Sequence, residues 1–254
     1  MTKIVFWDYD GTLIDSEIIY KDSLNAFLKE NKFGLKEIDD GFFYKCISGH
    51  HPEEFLLDLE KQGFVKNSES INPNNVREYY NNFFANLNKR ELKVVDNIDK
   101  IINKLSSYKD IFMCITSSSL KKDFIIKNSN VENDILNKYF NVDKNVYLCG
   151  QLSNCRFKPF PDVFIYAFKD IVNKNNIKLK DGDKLFIIED SKAGCEDGKS
   201  FKQEYDNIID IKIIGYTASM RFKEYKTEYT KKLINAGADI IAKTSEEIFK
   251  IIVD

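Results

Sequence analysis

The chain reads as an α/β protein, with a mostly parallel sheet, helices on both faces and an all-helical insert near the start. Three observations predict this. Short apolar runs of strand length alternate with stretches of helical periodicity. Between about residues 15 and 93 the periodicity is helical, with no convincing strand. Three of the apolar runs end in polar groups, namely Asp8 with Asp10, Thr116 with Ser117, and Glu189 with Asp190. Parallel sheets gather their ligands at the carboxyl ends of strands, so these ends are where chemistry is expected.

Bulk properties fit a packed, soluble protein. The 254 residues are 43% hydrophobic and 31% charged, and the formal net charge is -2. That length allows one α/β domain or two smaller units. The charge balance gives no basic face for nucleic acid. No apolar run approaches the ~20 residues of a membrane helix, and the start lacks a signal-peptide pattern. The five cysteines form no C-x-x-C pair, which points to reduced thiols and a cytoplasmic location. The only two histidines, His50 and His51, are adjacent, which argues against a His-rich zinc site or a Ser-His-Asp hydrolase.

The elements follow in order. Lys3-Ile4-Val5-Phe6-Trp7 has the length and composition of a buried strand. Asp8-Tyr9-Asp10-Gly11 then turns. Residues two apart on a strand point the same way, so both carboxylates can reach one site. Their mutual repulsion calls for a cation or a shared proton, although a plain turn after an edge strand gives the same letters. Asp15-Ser16-Glu17 reads as a capped helix start, with Tyr20, Leu24, Phe27 and Leu28 at helical spacing. Helices are expected over Glu53–Gln62, stopped by Gly63, and over 76–88, where Val76, Tyr79, Tyr80, Phe83, Phe84 and Leu87 share a face. The α/β pattern resumes near Val94. Ile98, Ile101, Ile102 and Leu105 mark a helix, and Ile111–Ile115 a strand that ends in Thr116-Ser117-Ser118-Ser119. A helix from Leu120, a strand over Val146–Cys149, a helix holding Val163 to Ile171 and a strand over Leu185–Ile188 come next. The loop over Gln203–Asp210 reads as long. Strands at Ile211–Gly215 and Ala238–Ile241 and a terminal helix behind a Thr244/Glu247 capping box complete the chain.

The polar groups at these ends are two carboxylate pairs, a hydroxyl cluster and Lys158, the last in a loop stiffened by Pro159 and Pro161. Carboxylate oxygens suit Mg²⁺. Lysine and hydroxyl groups suit phosphoryl oxygens. One carboxylate can serve as nucleophile and another as acid/base. The inventory matches phosphoryl transfer through an aspartyl-phosphate, without saying which aspartate attacks.

In this light the sequence resembles the haloacid dehalogenase superfamily of phosphohydrolases. Asp8-Tyr9-Asp10-Gly11-Thr12-Leu13, Ile115-Thr116-Ser117, Lys158-Pro159-Phe160-Pro161-Asp162 and Glu189-Asp190-Ser191-Lys192-Ala193-Gly194 resemble its four motifs, in its order. The helical insert resembles the small cap of the subgroup with phosphoglycolate phosphatases, sugar-phosphate phosphatases and β-phosphoglucomutase. The fold implied is a Rossmann-like core, residues 1–14 and 94–254, with a helical cap over 15–93. The resemblance implies a Mg²⁺-dependent phosphatase of small phosphorylated metabolites. Neither nucleic acid nor membrane is expected as a partner, on the charge balance and apolar-run length above. The sequence does not fix the oligomeric state, with a monomer the expectation. The resemblance makes Asp8 the nucleophile and Asp10 the acid/base, whose backbone carbonyl also faces the metal. Thr116, Ser117 and Lys158 hold phosphoryl oxygens, with Lys158 also neutralising Asp8. Asp190 and Glu189 join Asp8 and Asp10 in holding Mg²⁺. Gly49 and His50, in the cap loop, meet substrate.

Some readings stay open. Related phosphomutases carry a histidine near the position of Tyr20, so Tyr20 favours a phosphatase over a mutase. Dehalogenases lack the acid/base, so Asp10 argues against that activity. A non-enzymatic phospho-acceptor module would gather similar groups, but in about half the length and without a cap. Phe157 stands where the subgroup commonly has glycine, and Cys195-Glu196-Asp197-Gly198 where small residues are expected.

Overall fold

The computed structural model describes residues 1–48, 50, 52–87, 92–132, 135–219 and 225–254. Six parallel strands form one sheet: β1 (Lys3–Trp7), β2 (Ile111–Ser117), β3 (Val146–Leu148), β4 (Lys184–Glu189), β5 (Asp210–Tyr216) and β6 (Ile240–Ala242). Their order is β3-β2-β1-β4-β5-β6. The chain builds outward from β1 on one side, then returns to add β4 on the other. The switch point therefore lies beside β1, where open α/β sheets bind ligands.

Alternation along the strands explains why the sheet is covered on both faces. Val5 and Trp7 of β1, with Phe186 and Ile188 of β4 and Ile214 and Tyr216 of β5, enter one apolar core. The intervening Ile4, Phe6, Leu185, Ile187, Ile211 and Ile213 enter the other. A two-residue period with both phases apolar leaves no face for water. The first core is closed by α5 (Ile98–Leu105), α6 (Lys121–Asn128) and α11 (Ser245–Val253). The second is closed by α8 (Asp162–Lys174), α9 (Lys192–Tyr205) and α10 (Lys226–Ala236).

The segment between β1 and β2 is helical as expected. It carries α1 (Glu17–Glu30), the single turn α2 (Asp40–Phe42) running into a π-turn over Phe43–Ile47, α3 (Pro52–Lys61) and α4 (Pro73–Ala85). Leu24, Phe27, Phe43, Phe55, Leu59, Phe64 and Val76 form a third apolar core within it. Asn72 caps α4 by accepting from Asn74 N, and Pro73 sits in its first turn, where a missing N–H costs nothing. Gly63 ends α3 in the left-handed region, at φ 69°, a conformation that favours glycine. The segment leaves and rejoins the sheet at one place. There Asp15 N donates to Lys93 O at 2.9 Å and Val95 N to Leu13 O at 3.0 Å.

Three local expectations need correction. Ser16 precedes α1 but makes no cap bond to it, because its hydroxyl is used elsewhere. The 203–210 segment is not a long loop: α9 runs to Tyr205 and β5 starts at Asp210. Phe201 and Tyr205 continue the buried face of α9 and stack with centroids 4.7 Å apart. In the Thr244/Glu247 pair, Thr244 caps α11 through Glu247 N, but the Glu247 carboxylate accepts from Lys243 N rather than returning to Thr244. Elsewhere the bounds shift by one to three residues, most for the helix expected over 76–88, which runs over Pro73–Ala85. β3 stops at Leu148 because Cys149 already turns, and the short helix α7 (Ile135–Tyr139) follows α6.

Candidate active site

Strand register brings the polar ends together. Trp7 pairs with Ile115 on one side and Ile188 on the other. The next residues, Asp8, Thr116 and Glu189, therefore leave three adjacent strands at the same level. Asp8 N still donates to Ile188 O at 3.0 Å, which holds its backbone in line with β4. All three side chains are buried, as are Lys158 and Asp190.

Lys158 is the hub of this group. Its Nζ donates to Asp8 Oδ1 at 2.8 Å and also to Glu189 Oε1. Burial works against the ammonium, but the carboxylates of Asp8, Glu189 and Asp197 outweigh it and hold its pKa above the ordinary lysine value. Glu189 is pushed the other way. Burial first, and the nearby Asp8 charge second, raise its carboxyl to about 8, against the pull of Lys158 and Ser191. The loop that carries Lys158 is clamped by its own motif. Arg156 donates through Nε to Asp162 Oδ2 at 2.9 Å and through Nη2 to Oδ1 at 2.7 Å, a fork that fixes a planar geometry. The Arg156 backbone N adds a third bond to Asp162, also at 2.9 Å.

The last motif closes the site from β4. Ser191 caps α9 by accepting from Gly194 N at 3.0 Å, and its hydroxyl donates to Glu189 Oε2 at 3.3 Å. Gly194 makes room for this contact: a Cβ there would lie 1.8 Å from Glu189 Oε2 and would push that carboxylate aside. Thr12 Oγ1 donates to Asp190 Oδ1 at 3.3 Å, tying the two motif loops together. Oxygen atoms of Asp8, Glu189 and Asp190 lie within 4.8 Å of one another. A donor set made only of carboxylate oxygens fits a hard divalent cation such as Mg²⁺ or Ca²⁺, not zinc or copper.

Asp10 lies outside that trio. Its Oδ1 accepts from Ser16 Oγ at 2.6 Å, which is where the expected cap residue of α1 has gone. Its Oδ2 accepts from Ser119 Oγ at 3.2 Å and from Lys127 Nζ. Ser119 belongs to the hydroxyl cluster seen in the sequence. Lys127 was not legible there, since nothing in the sequence of α6 marks which of its three lysines is buried.

A cavity of about 620 Å³ opens above these groups. Asp8, Asp10, Ser117, Lys158 and Asp190 line its floor, and His50, Tyr20, Tyr80 and Arg77 of the helical segment line the rest. Thr116 is not among the lining residues. Its hydroxyl is buried with no hydrogen-bond partner among the described residues. His50 Nδ1 lies 3.2 Å from Ser48 O. Gly49 and His51 fall outside the described residues.

A sequence model of the haloacid dehalogenase-like hydrolases matches residues 5–204, so the chain belongs to that family. No curated protein matches significantly. Among solved structures, the chain is similar to a haloacid dehalogenase-like protein of unknown function from Agrobacterium tumefaciens, at 20% identity and TM-score 0.73, covering 100% of this chain and 98% of that one. It is also similar to CbbY from Rhodobacter sphaeroides in complex with xylulose-(1,5)bisphosphate, at 13% identity and TM-score 0.65, covering 97% and 96%. A haloacid dehalogenase family hydrolase from Deinococcus radiodurans with bound phosphate and sodium matches at 17% identity and TM-score 0.65, covering 98% and 93%. At these identities the likeness is one of fold.

Proposed function

We propose that the protein is a Mg²⁺-dependent phosphatase of a small phosphate monoester, of the sugar-phosphate or phosphoglycolate type, working through an aspartyl-phosphate. The observation that carries this reading is the grouping of Asp8, Lys158 and Asp190 in the lining of a cavity large enough for a small metabolite, with the buried Glu189 bonded to Lys158 beside them. In this reading residues 1–14 and 94–254 form the catalytic core and 15–93 a helical cap.

Asp8 is the nucleophile. One of its carboxylate oxygens forms a bond to phosphorus as the bond to the leaving oxygen breaks. Lys158 orients Asp8 and offsets the negative charge that gathers there. Asp10 protonates the leaving oxygen, then removes a proton from the water that cleaves the acyl phosphate and frees Asp8. The Ser117 side chain and the backbone around Thr116 contact the phosphoryl oxygens, with Thr116 shaping that loop. Asp8, Glu189, Asp190 and the Asp10 carbonyl would hold Mg²⁺, which supplies charge neutralisation for the phosphoryl group. Tyr20 supports hydrolysis over a mutase reaction. Burial first and the Asp10 charge second push its phenol up, so no group there titrates near neutrality as a histidine would.

Hydrolysis of 4-nitrophenyl phosphate with Mg²⁺ and with a chelator tests the reading. Activity is expected only with the metal, and Asp8→Asn is expected to abolish it. Activity indifferent to chelation, or surviving Asp8→Asn, contradicts the mechanism.

A further inference from the structure

Each of the two aspartates in the first motif has a buried lysine of its own. Lys158 serves Asp8, as described. Lys127, on α6, serves Asp10, and nothing in the motif set accounts for it. α6 carries four lysines or acids in its first three residues and at its end, but only Phe124 and Lys127 are buried. They are three residues apart and so share one helical face. A buried ammonium persists only where polar groups replace its water. Lys127 Nζ has three such partners: Asp10 Oδ2, Ser119 Oγ at 3.1 Å and Tyr20 OH at 3.1 Å. Its three donors are therefore all used. It also lies 5.5 Å from the ring centres of Tyr9 and Tyr20, within range of a cation–π attraction.

These partners come from three separate elements. Asp10 leaves β1, Ser119 follows β2, and Tyr20 sits on α1 of the helical segment. The Asp10 carboxylate is gripped from both sides, Oδ1 by Ser16 and Oδ2 by Lys127 and Ser119. It cannot rotate about its terminal torsion without giving up one of these bonds. Yet Asp10 still lines the cavity.

We propose that Lys127 is a positioning residue for proton transfer, fixing the Asp10 carboxylate toward the cavity and tying it through Tyr20 to the cap. The proposal rests on the phosphatase reading, in which Asp10 is the acid/base. A lysine that only stapled α6 to its neighbours would lower stability when removed and slow every substrate alike. A lysine that positions Asp10 acts selectively, because a poor leaving group needs the proton and a good one departs without it.

The test uses the full chain with Mg²⁺ and a series of aryl phosphates whose phenols range from strongly to weakly acidic, with 4-nitrophenyl phosphate and phenyl phosphate at the two ends. For the wild type, kcat/KM is expected to depend weakly on the phenol. For Lys127→Met the dependence steepens, the loss on phenyl phosphate exceeding that on 4-nitrophenyl phosphate by roughly tenfold or more. Asp10→Asn is expected to steepen it likewise. The double variant should match Asp10→Asn alone, since Lys127 acts through that carboxylate. Lys127→Gln, which keeps a hydrogen-bond donor, carries the same comparison if the methionine variant does not fold. An unchanged dependence in a folded Lys127 variant overturns the proposal, as does failure of both variants to fold, which would make the residue structural. A wild type that hydrolyses no member of the series contradicts the phosphatase reading itself, so the two failures are distinguishable.

Discussion

Asp197 illustrates what a single residue can cost. It sits on α9 where small residues are expected, is fully buried, and neither carboxylate oxygen has a hydrogen-bond partner among the described residues. Burial raises its pKa well above the ordinary value. Lys158 opposes this only in part, and Glu189 adds to it. A carboxyl whose folded-state pKa is raised takes up protons on folding, so its contribution to stability is complete below about pH 4 and is lost as pH rises toward the folded value. Asp197→Ala is therefore expected to raise the melting temperature at neutral pH, by roughly 2–4 °C for about 1 kcal/mol. The gain should shrink as the pH is lowered toward 4. Thermal melts of both proteins from pH 4 to 8 check this. His50, in contrast, meets the cavity without touching the lysine–carboxylate group. His50→Ala is expected to change the ranking of phosphorylated metabolites while 4-nitrophenyl phosphate turnover falls by less than about threefold, since a rim contact discriminates between leaving groups. Equal losses on all substrates would remove His50 from specificity.

At the scale of elements, α9 shows how a helix start can organise a site. Its cap residue, Ser191, bonds both Gly194 N and Glu189, and Gly194 lets the helix approach the Glu189 carboxylate directly. Gly194→Ala places a methyl where that carboxylate stands. The expected result is a loss of about 1–3 kcal/mol of stability, as for other overpacked sites, together with weaker metal binding because Glu189 must move. Denaturant melts and a Mg²⁺ titration followed by melting temperature read the two effects separately. Elements of this kind were largely legible in the sequence. Every strand showed as a short, largely apolar run, and Gly63 marked the end of α3. The errors came where a side chain had a choice of partners. Ser16 reads as a helix cap, but Asp10 outcompetes the helix for its hydroxyl. Gln203–Asp210 reads as loop because its polar letters hide the buried positions of Phe201 and Tyr205.

At the scale of the molecule, the sheet order places β1 at the switch point and stacks the ends of β2, β1 and β4 at one level. The groups from the four motifs converge for that reason, and their convergence was legible because strand ends in parallel sheets are predictable. Lys127 was not, because only the packing of α6 against the first core and the helical segment decides which of its lysines turns inward. No helix among the described residues is long and apolar enough to cross a membrane. Within the acidic trio of Asp8, Glu189 and Asp190, burial and the Asp8 charge disfavour the Glu189 carboxylate, and Lys158 relieves this in part. A cation that binds there should stabilise the whole fold by mass action. Saturating Mg²⁺ is expected to raise the melting temperature by a few degrees, about 1–3 kcal/mol by that linkage. Asp190→Asn is expected to lose most of this shift. A shift retained in that variant would place the cation elsewhere.

If the proposed mechanism holds, Asp8 becomes phosphorylated during turnover. The direct measurement is the intact mass of the protein quenched in acid while hydrolysing 4-nitrophenyl phosphate with Mg²⁺, followed by peptide mapping. One added phosphoryl group on the peptide holding Asp8, absent in Asp8→Asn, is the expected result. Turnover with the phosphoryl group on another residue, or with none on Asp8 under conditions that preserve acyl phosphates, would contradict a covalent role for Asp8.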